Sequence, residues 1–130
     1  MNNIGIVIVS HSALVAEGTA IMAFQIAGDS VPIAWCGGNI EGGLGSNADE
    51  IFNAINRAWS DKGVAIFVDL GSTEMNSQIA IDNLEQDKQK KVLIMNAPLV
   101  EGVIVASAKA SGGESLKALK KAVEELTHSG

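Results

Sequence analysis

Ile4-Gly5-Ile6-Val7-Ile8-Val9-Ser10-His11-Ser12 decides how this chain is to be read. The short run of Ile and Val from Ile4 to Val9 is the pattern of a strand covered on both faces, as in parallel sheets. Ser10-His11-Ser12 ends it. Residues 13–27 then read as a helix, apolar almost all round and stopped by Gly28. Such a helix is expected to be covered on more than one side, as at a subunit interface.

The same strand-then-helix unit recurs along the chain. Val31–Cys36 reads as a second strand, followed by a loop, Gly37–Ser46, with five glycines. Asn47–Ser60 reads as a helix with Ile51, Phe52, Ile55, Ala58 and Trp59 on one face; Ser46 or Asn47 is its cap, and Asp49 and Glu50 suit its dipole. Val64–Leu70 is the third strand and ends with Asp69 near its tip. Gly71-Ser72-Thr73 turns into a helix expected to end near Gln86. Val92–Met95 is the fourth strand, followed by a helix over Leu99–Ala110 and a last one over Glu114–Leu126, burying Leu116, Leu119, Val123 and Leu126. Residues 127–130 are expected to fray.

Four such alternations predict an α/β fold: an open, mostly parallel four-stranded sheet with helices on both faces, in one domain spanning residues 1–130. Ligands bind such sheets beyond the carboxyl ends of the strands. That edge collects His11, the glycine loop, Asp69–Thr73 and Asn96–Glu101.

Composition narrows the function. The chain has 130 residues, 47% of them hydrophobic, and a net charge of −6. Residues 1–56 hold five acids and no bases. An acidic chain without a basic stripe is a poor partner for nucleic acid and suits a protein with a basic face. One cysteine, Cys36, excludes an internal disulfide and fits a reducing compartment such as the cytoplasm. The first Lys or Arg is Arg57, so the apolar N-terminus lacks the basic segment of a signal peptide. Glu17 interrupts the apolar stretch, and no membrane span is expected.

His11 sits where a strand hands over to a helix. Unpaired N–H groups at a helix N-terminus favour a phosphate, and imidazole is a competent nucleophile at neutral pH. Asp69 holds the equivalent place on the third strand, where a carboxylate can fix one imidazole nitrogen; capping the next helix is the plainer reading. Ser12, Gly71, Ser72 and Thr73 are candidates for hydrogen bonds to phosphate oxygens, or caps.

Several chemistries are missing. Gly43-Leu44-Gly45-Ser46-Asn47-Ala48 has dinucleotide spacing but does not follow its strand directly, so it reads as a mobile loop that closes over the site or meets a partner. No Gly-Lys-Ser/Thr triplet exists for ATP, and no Gly-x-Ser-x-Gly elbow. Two histidines, the second in the tail at His128, and one cysteine make no zinc set. Met75 and Met95 read as core. No metal or cofactor is expected.

Three motifs, Val7-Ile8-Val9-Ser10-His11-Ser12, Phe67-Val68-Asp69-Leu70-Gly71-Ser72 and Asn96-Ala97-Pro98-Leu99-Val100-Glu101-Gly102, resemble the phosphocarrier subunits of phosphotransferase-dependent dihydroxyacetone kinases, which have the mannose-type enzyme IIA fold. The resemblance runs in order from Ile4 to about Gly112. It implies a phosphotransferase subunit working through a phosphohistidine. His11 would receive a phosphoryl group from the carrier protein HPr and pass it to ADP on the nucleotide-binding kinase subunit, which phosphorylates dihydroxyacetone held on a third subunit. The ADP is resident on that other subunit, in keeping with the missing P-loop. The resemblance also implies a homodimer, and a single-domain form served by a separate HPr. The alternatives are an enzyme IIA of a mannose-family sugar transporter and a non-covalent ligand-binding module. In the sugar-transporter branch the strand-3 motif has two glycines and a Ser-Pro; Asp69-Leu70-Gly71-Ser72-Thr73 has one glycine and no proline.

Overall fold

A computed structural model of the chain describes residues 3–39, 41–69 and 71–128. The elements follow in the order β1 (Gly5–Ser10), α1 (Ala13–Ala27), β2 (Ile33–Gly37), α2 (Ala48–Arg57), β3 (Val64–Val68), α3 (Gly71–Asp82), α4 (Gln86–Gln89), β4 (Val92–Ile94), α5 (Leu99–Ser111) and α6 (Leu116–His128). Among the described residues no helix is long and apolar enough to cross a membrane.

The four strands form one sheet in the order β2-β1-β3-β4, and every neighbouring pair is parallel. Period-two alternation sends successive side chains to opposite faces. Ile6 and Ile8 of β1, with Ala65 and Phe67 of β3, meet α1, α5 and α6. Val7 and Val9, with Val64 and Ile66, meet α2 and α3. Both faces are therefore apolar, which is why β1 reads as an unbroken Ile/Val run. Gly5 lets β1 pass close to the end of α2: a Cβ there would lie 1.8 Å from the Ala58 carbonyl oxygen.

Strand order creates the crevice. The chain leaves β1 for β2 on one side, then crosses from β2 to β3 on the other side of β1. The connections diverge at the carboxyl ends of β1 and β3, where open parallel sheets bind ligands.

Several expectations shift. The third helix stops at Asp82 rather than Gln86. The Asn83 and Leu84 amides donate back to Ile79, Ala80 and Ile81 in a tightened last turn. Gln89 Nε2 donates to the Asp82 and Leu84 carbonyls, giving partners to groups a helix end leaves unpaired. The separate single turn α4 follows from extended Glu85. β3 ends at Val68; Leu70, expected in that strand, lies outside the described residues, as do Ser129 and Gly130 of the expected frayed end. Thr127 is anchored, its hydroxyl donating to the Asn96 carbonyl.

Among the described residues, helix α1 is covered on one side only. Ala16, Thr19, Ala20, Ala23 and Ala27 face the interior, while Leu14, Ile21, Met22, Phe24 and Ile26 are exposed. Met95 is buried as expected, but Met75, on the outer side of α3, is exposed.

Candidate functional site

Ser12 is extended and caps α1, its hydroxyl accepting the Val15 amide at 3.3 Å. Two residues upstream, the Ser10 hydroxyl accepts the Ser12 amide at 3.1 Å. This tight corner swings His11 off the end of β1 and over the end of β3, where Asp69 waits one residue beyond the strand.

Asp69 grips His11 twice. The His11 backbone N–H donates to Asp69 Oδ2 at 3.1 Å, and His11 Nδ1 lies 3.0 Å from Oδ1. Ser10 Oγ donates to Oδ2 at 2.6 Å, and Thr73 Oγ1 to Oδ1 at 3.3 Å. An ionised carboxylate only accepts, so Nδ1 must carry the proton. In the neutral ring Nε2 then has the free lone pair. Ser72 Oγ is hydrogen-bonded to that nitrogen and, by the same logic, donates to it. The His11 side chain is 18% exposed: held, but open to solvent at the crevice mouth.

The glycine loop is built rather than loose along its described residues. Asn39 Oδ1 accepts the Glu41 and Gly43 amides, and Asn39 Nδ2 donates to the Leu44 carbonyl. The Gly45 amide donates to the His11 carbonyl at 2.9 Å, tying the loop to the site. Ile40 lies outside the described residues. Asn47, not Ser46, caps α2, accepting from Asp49 and Glu50; the Ser46 hydroxyl accepts from Asn76 of α3. Gly37, where the loop leaves β2, passes so close to β1 that a Cβ would sit 2.4 Å from the Ser10 carbonyl oxygen.

His11, Asp69 and Ser72 thus converge. Gly71 opens α3 beside them with open space around it. Ser12 has its hydroxyl on the Val15 amide of α1, and Thr73 is buried with its hydroxyl on Asp69, so both shape the site rather than line its mouth. The fourth loop does not join this set: the Asn96 amide donates to Glu124 of α6 at 2.9 Å, and Glu124 pairs with Lys120. Ser10 was not among the expected site residues. Its signal was a hydroxyl closing an otherwise apolar strand.

A family described as the PTS system fructose IIA component, EIIA-man, matches residues 5–120 of the chain. The chain belongs to this family. Within the EIIA-man family, its curated relatives include the phosphoryl donor subunit DhaM of PEP-dependent dihydroxyacetone kinase 2 from Listeria innocua, 35% identical, covering 96% of this chain and 98% of the relative. The phosphotransferase subunit DhaM of the PTS-dependent dihydroxyacetone kinase from Lactococcus lactis is 34% identical, covering 94% of each. Among solved structures, a protein of unknown function, EF1359, superposes with a TM-score of 0.80 at 34% identity, covering 96% of this chain and 95% of that one. The EIIA-man fold of the chain is therefore α/β with a fully parallel open sheet, as its strand–helix alternation implies.

Proposed function

We propose that this chain is the phosphoryl donor subunit of a phosphotransferase-dependent dihydroxyacetone kinase, with His11 as its phosphorylated residue. The observation that carries the reading is the His11 ring: Nδ1 is held by Asp69, leaving Nε2 as the nucleophile at the crevice mouth. The near full-length likeness to subunits named as phosphoryl donors supports it.

In the reaction, the Nε2 lone pair attacks the phosphorus of phospho-HPr. A nitrogen–phosphorus bond forms at His11 as the bond to the donor imidazole breaks. The proton on Nδ1 stays in place, and Asp69 offsets the positive charge the ring acquires. Ser72 turns its hydroxyl from Nε2 to a phosphoryl oxygen, and the amides at the start of α1 and α3, Gly71 included, favour the dianion. The second transfer reverses these steps toward ADP on the nucleotide-binding kinase subunit, beside the dihydroxyacetone-binding subunit. The exposed apolar side of α1 fits a homodimer in the cytoplasm.

Incubation with phosphoenolpyruvate, enzyme I and HPr tests this. The intact protein should gain one phosphoryl mass, and His11→Ala should fold and gain none. Continued labelling of that variant would end the assignment. The family's description as a sugar-system IIA component favours one second reading, a sugar-transporter IIA. Transfer onward to ADP on the kinase subunits, rather than to a transporter subunit, separates the two.

A further inference from the structure

Ser10 closes β1 and is fully buried. A buried hydroxyl is costly unless bonded, and this one is bonded in two directions. The Ser12 amide, 3.1 Å away, can only donate, so the Ser10 oxygen accepts there. Its single proton is left for Asp69 Oδ2 at 2.6 Å, and a carboxylate can only accept. The direction of both bonds is fixed from both ends, with no rotor freedom left over.

That matters for the ring next door. Oδ2 is pinned between the Ser10 hydroxyl and the His11 backbone amide. Pinning one oxygen stops rotation of the carboxylate about its own axis, which places Oδ1 in line with His11 Nδ1. The Thr73 hydroxyl donates to Oδ1, from α3. Ser10 is the side chain of β1 that reaches across to the carboxylate beyond β3, so it also holds the two lips of the crevice in register.

We infer that Ser10 is a positioning residue for the chemistry at His11: its buried hydroxyl aims the Asp69 carboxylate that keeps the proton on Nδ1 and the lone pair on Nε2. The inference rests on the reading of His11 as the phosphoryl acceptor, and deepens it. Ser10→Ala removes one oxygen and adds no bulk, so the fold is expected to persist. In that variant Asp69 loses the donor 2.6 Å from Oδ2, the Ser12 amide loses its acceptor, and the carboxylate can turn away from the ring.

The test combines nitrogen-15 NMR of the His11 ring, at a pH where the ring is neutral, with transfer rates from phospho-HPr far below saturation. The wild-type ring should be protonated chiefly on Nδ1. In Ser10→Ala the Nε2-protonated tautomer should grow several-fold and transfer should slow about tenfold, the scale of one charge-assisted hydrogen bond. In an Asp69→Ala background the same Ser10→Ala change should alter neither quantity, because the group it acts through is gone. An unchanged tautomer ratio in Ser10→Ala would overturn the inference. So would a slowing of equal size with and without Asp69, which marks a role independent of the carboxylate. A wild-type protein that accepts no phosphoryl group defeats the carrier reading instead, and the tautomer ratio still decides what Ser10 does.

Discussion

Asp69→Asn is the sharpest test of the site, because the replacement has the same shape and different hydrogen-bonding. Asn presents one acceptor oxygen and one amide that only donates. Asp69 now accepts on both oxygens: the His11 amide and Ser10 on Oδ2, the His11 ring and Thr73 on Oδ1. The backbone N–H of His11 cannot turn round, so the Asn oxygen must face it. The Asn amide then faces the ring, where Nδ1 has to become an acceptor. The proton moves to Nε2 and blocks the nucleophile. Restoring the reactive tautomer sets N–H against N–H and costs roughly 1–3 kcal/mol. Losing the charge-assisted bond to the phosphorylated, cationic ring costs about 1.5–3 kcal/mol more. Together these give about 2.5–6 kcal/mol, or a transfer rate lowered by about 10²- to 10⁴-fold. The Ser10 hydroxyl still meets an oxygen, and only the Thr73 hydroxyl has to turn so as to accept from the new amide, so the fold should hold. Single-turnover transfer from phospho-HPr, well below saturation and with thermal melts alongside, measures this. A rate within about threefold of wild type, less than about 1 kcal/mol, would refute the reasoning and leave Asp69 as an anchor for α3.

Two further outcomes concern the frame of the site. Gly5→Ala should destabilise the protein by about 3 kcal/mol or more, since its Cβ would overlap the Ala58 carbonyl oxygen at 1.8 Å, read as a lower midpoint in urea. Cys36 is a buried thiol pushed up from 9.0 to about 12, first by burial and then by the Glu50 carboxylate, with Arg57 opposing. Its thiol form is the one the fold favours, so that stability is fully present below the unfolded value near 9 and fades as pH rises toward 12. Denaturation midpoints should fall across that window and fall less in Cys36→Ala, and iodoacetamide at pH 8 should label Cys36 only after unfolding.

The legible part of this protein was local. Ile4–Val9 announced a strand buried on both faces because a parallel sheet covered by helices leaves no polar side to alternate with. The stop at Gly28 and the apolar spacing of α2 follow from hydrogen-bonding and periodicity within a few residues of each position, whereas the choice of Asn47 over Ser46 as cap came from the fold, which engages Ser46 with Asn76. The break between α3 and α4 was not legible, because it depends on Gln89 reaching back to carbonyls that only the folded turn brings near. The motif at Asn96–Gly102 helped to mark the family, yet Asn96, its first residue, is bonded to Glu124 and Thr127 of α6 rather than to His11.

His11 and Asp69 were readable as candidates because each follows a strand on the same edge of the sheet. Their partnership was not, since two residues 58 positions apart meet only if β1 and β3 are neighbours. Sequence patterns set the strands but not their order, because every apolar strand here would pair acceptably with any other. The order β2-β1-β3-β4 is decided by how helices pack on both faces at once. That order brought Asp69 onto Nδ1 and so selected Nε2 as the unprotonated nitrogen. It also turned Ser10, an ordinary hydroxyl at a strand end, into a buried contact between the two lips of the crevice. Hydrogen bonds between side chains are short and directional, so which groups share one is a property of the assembled fold.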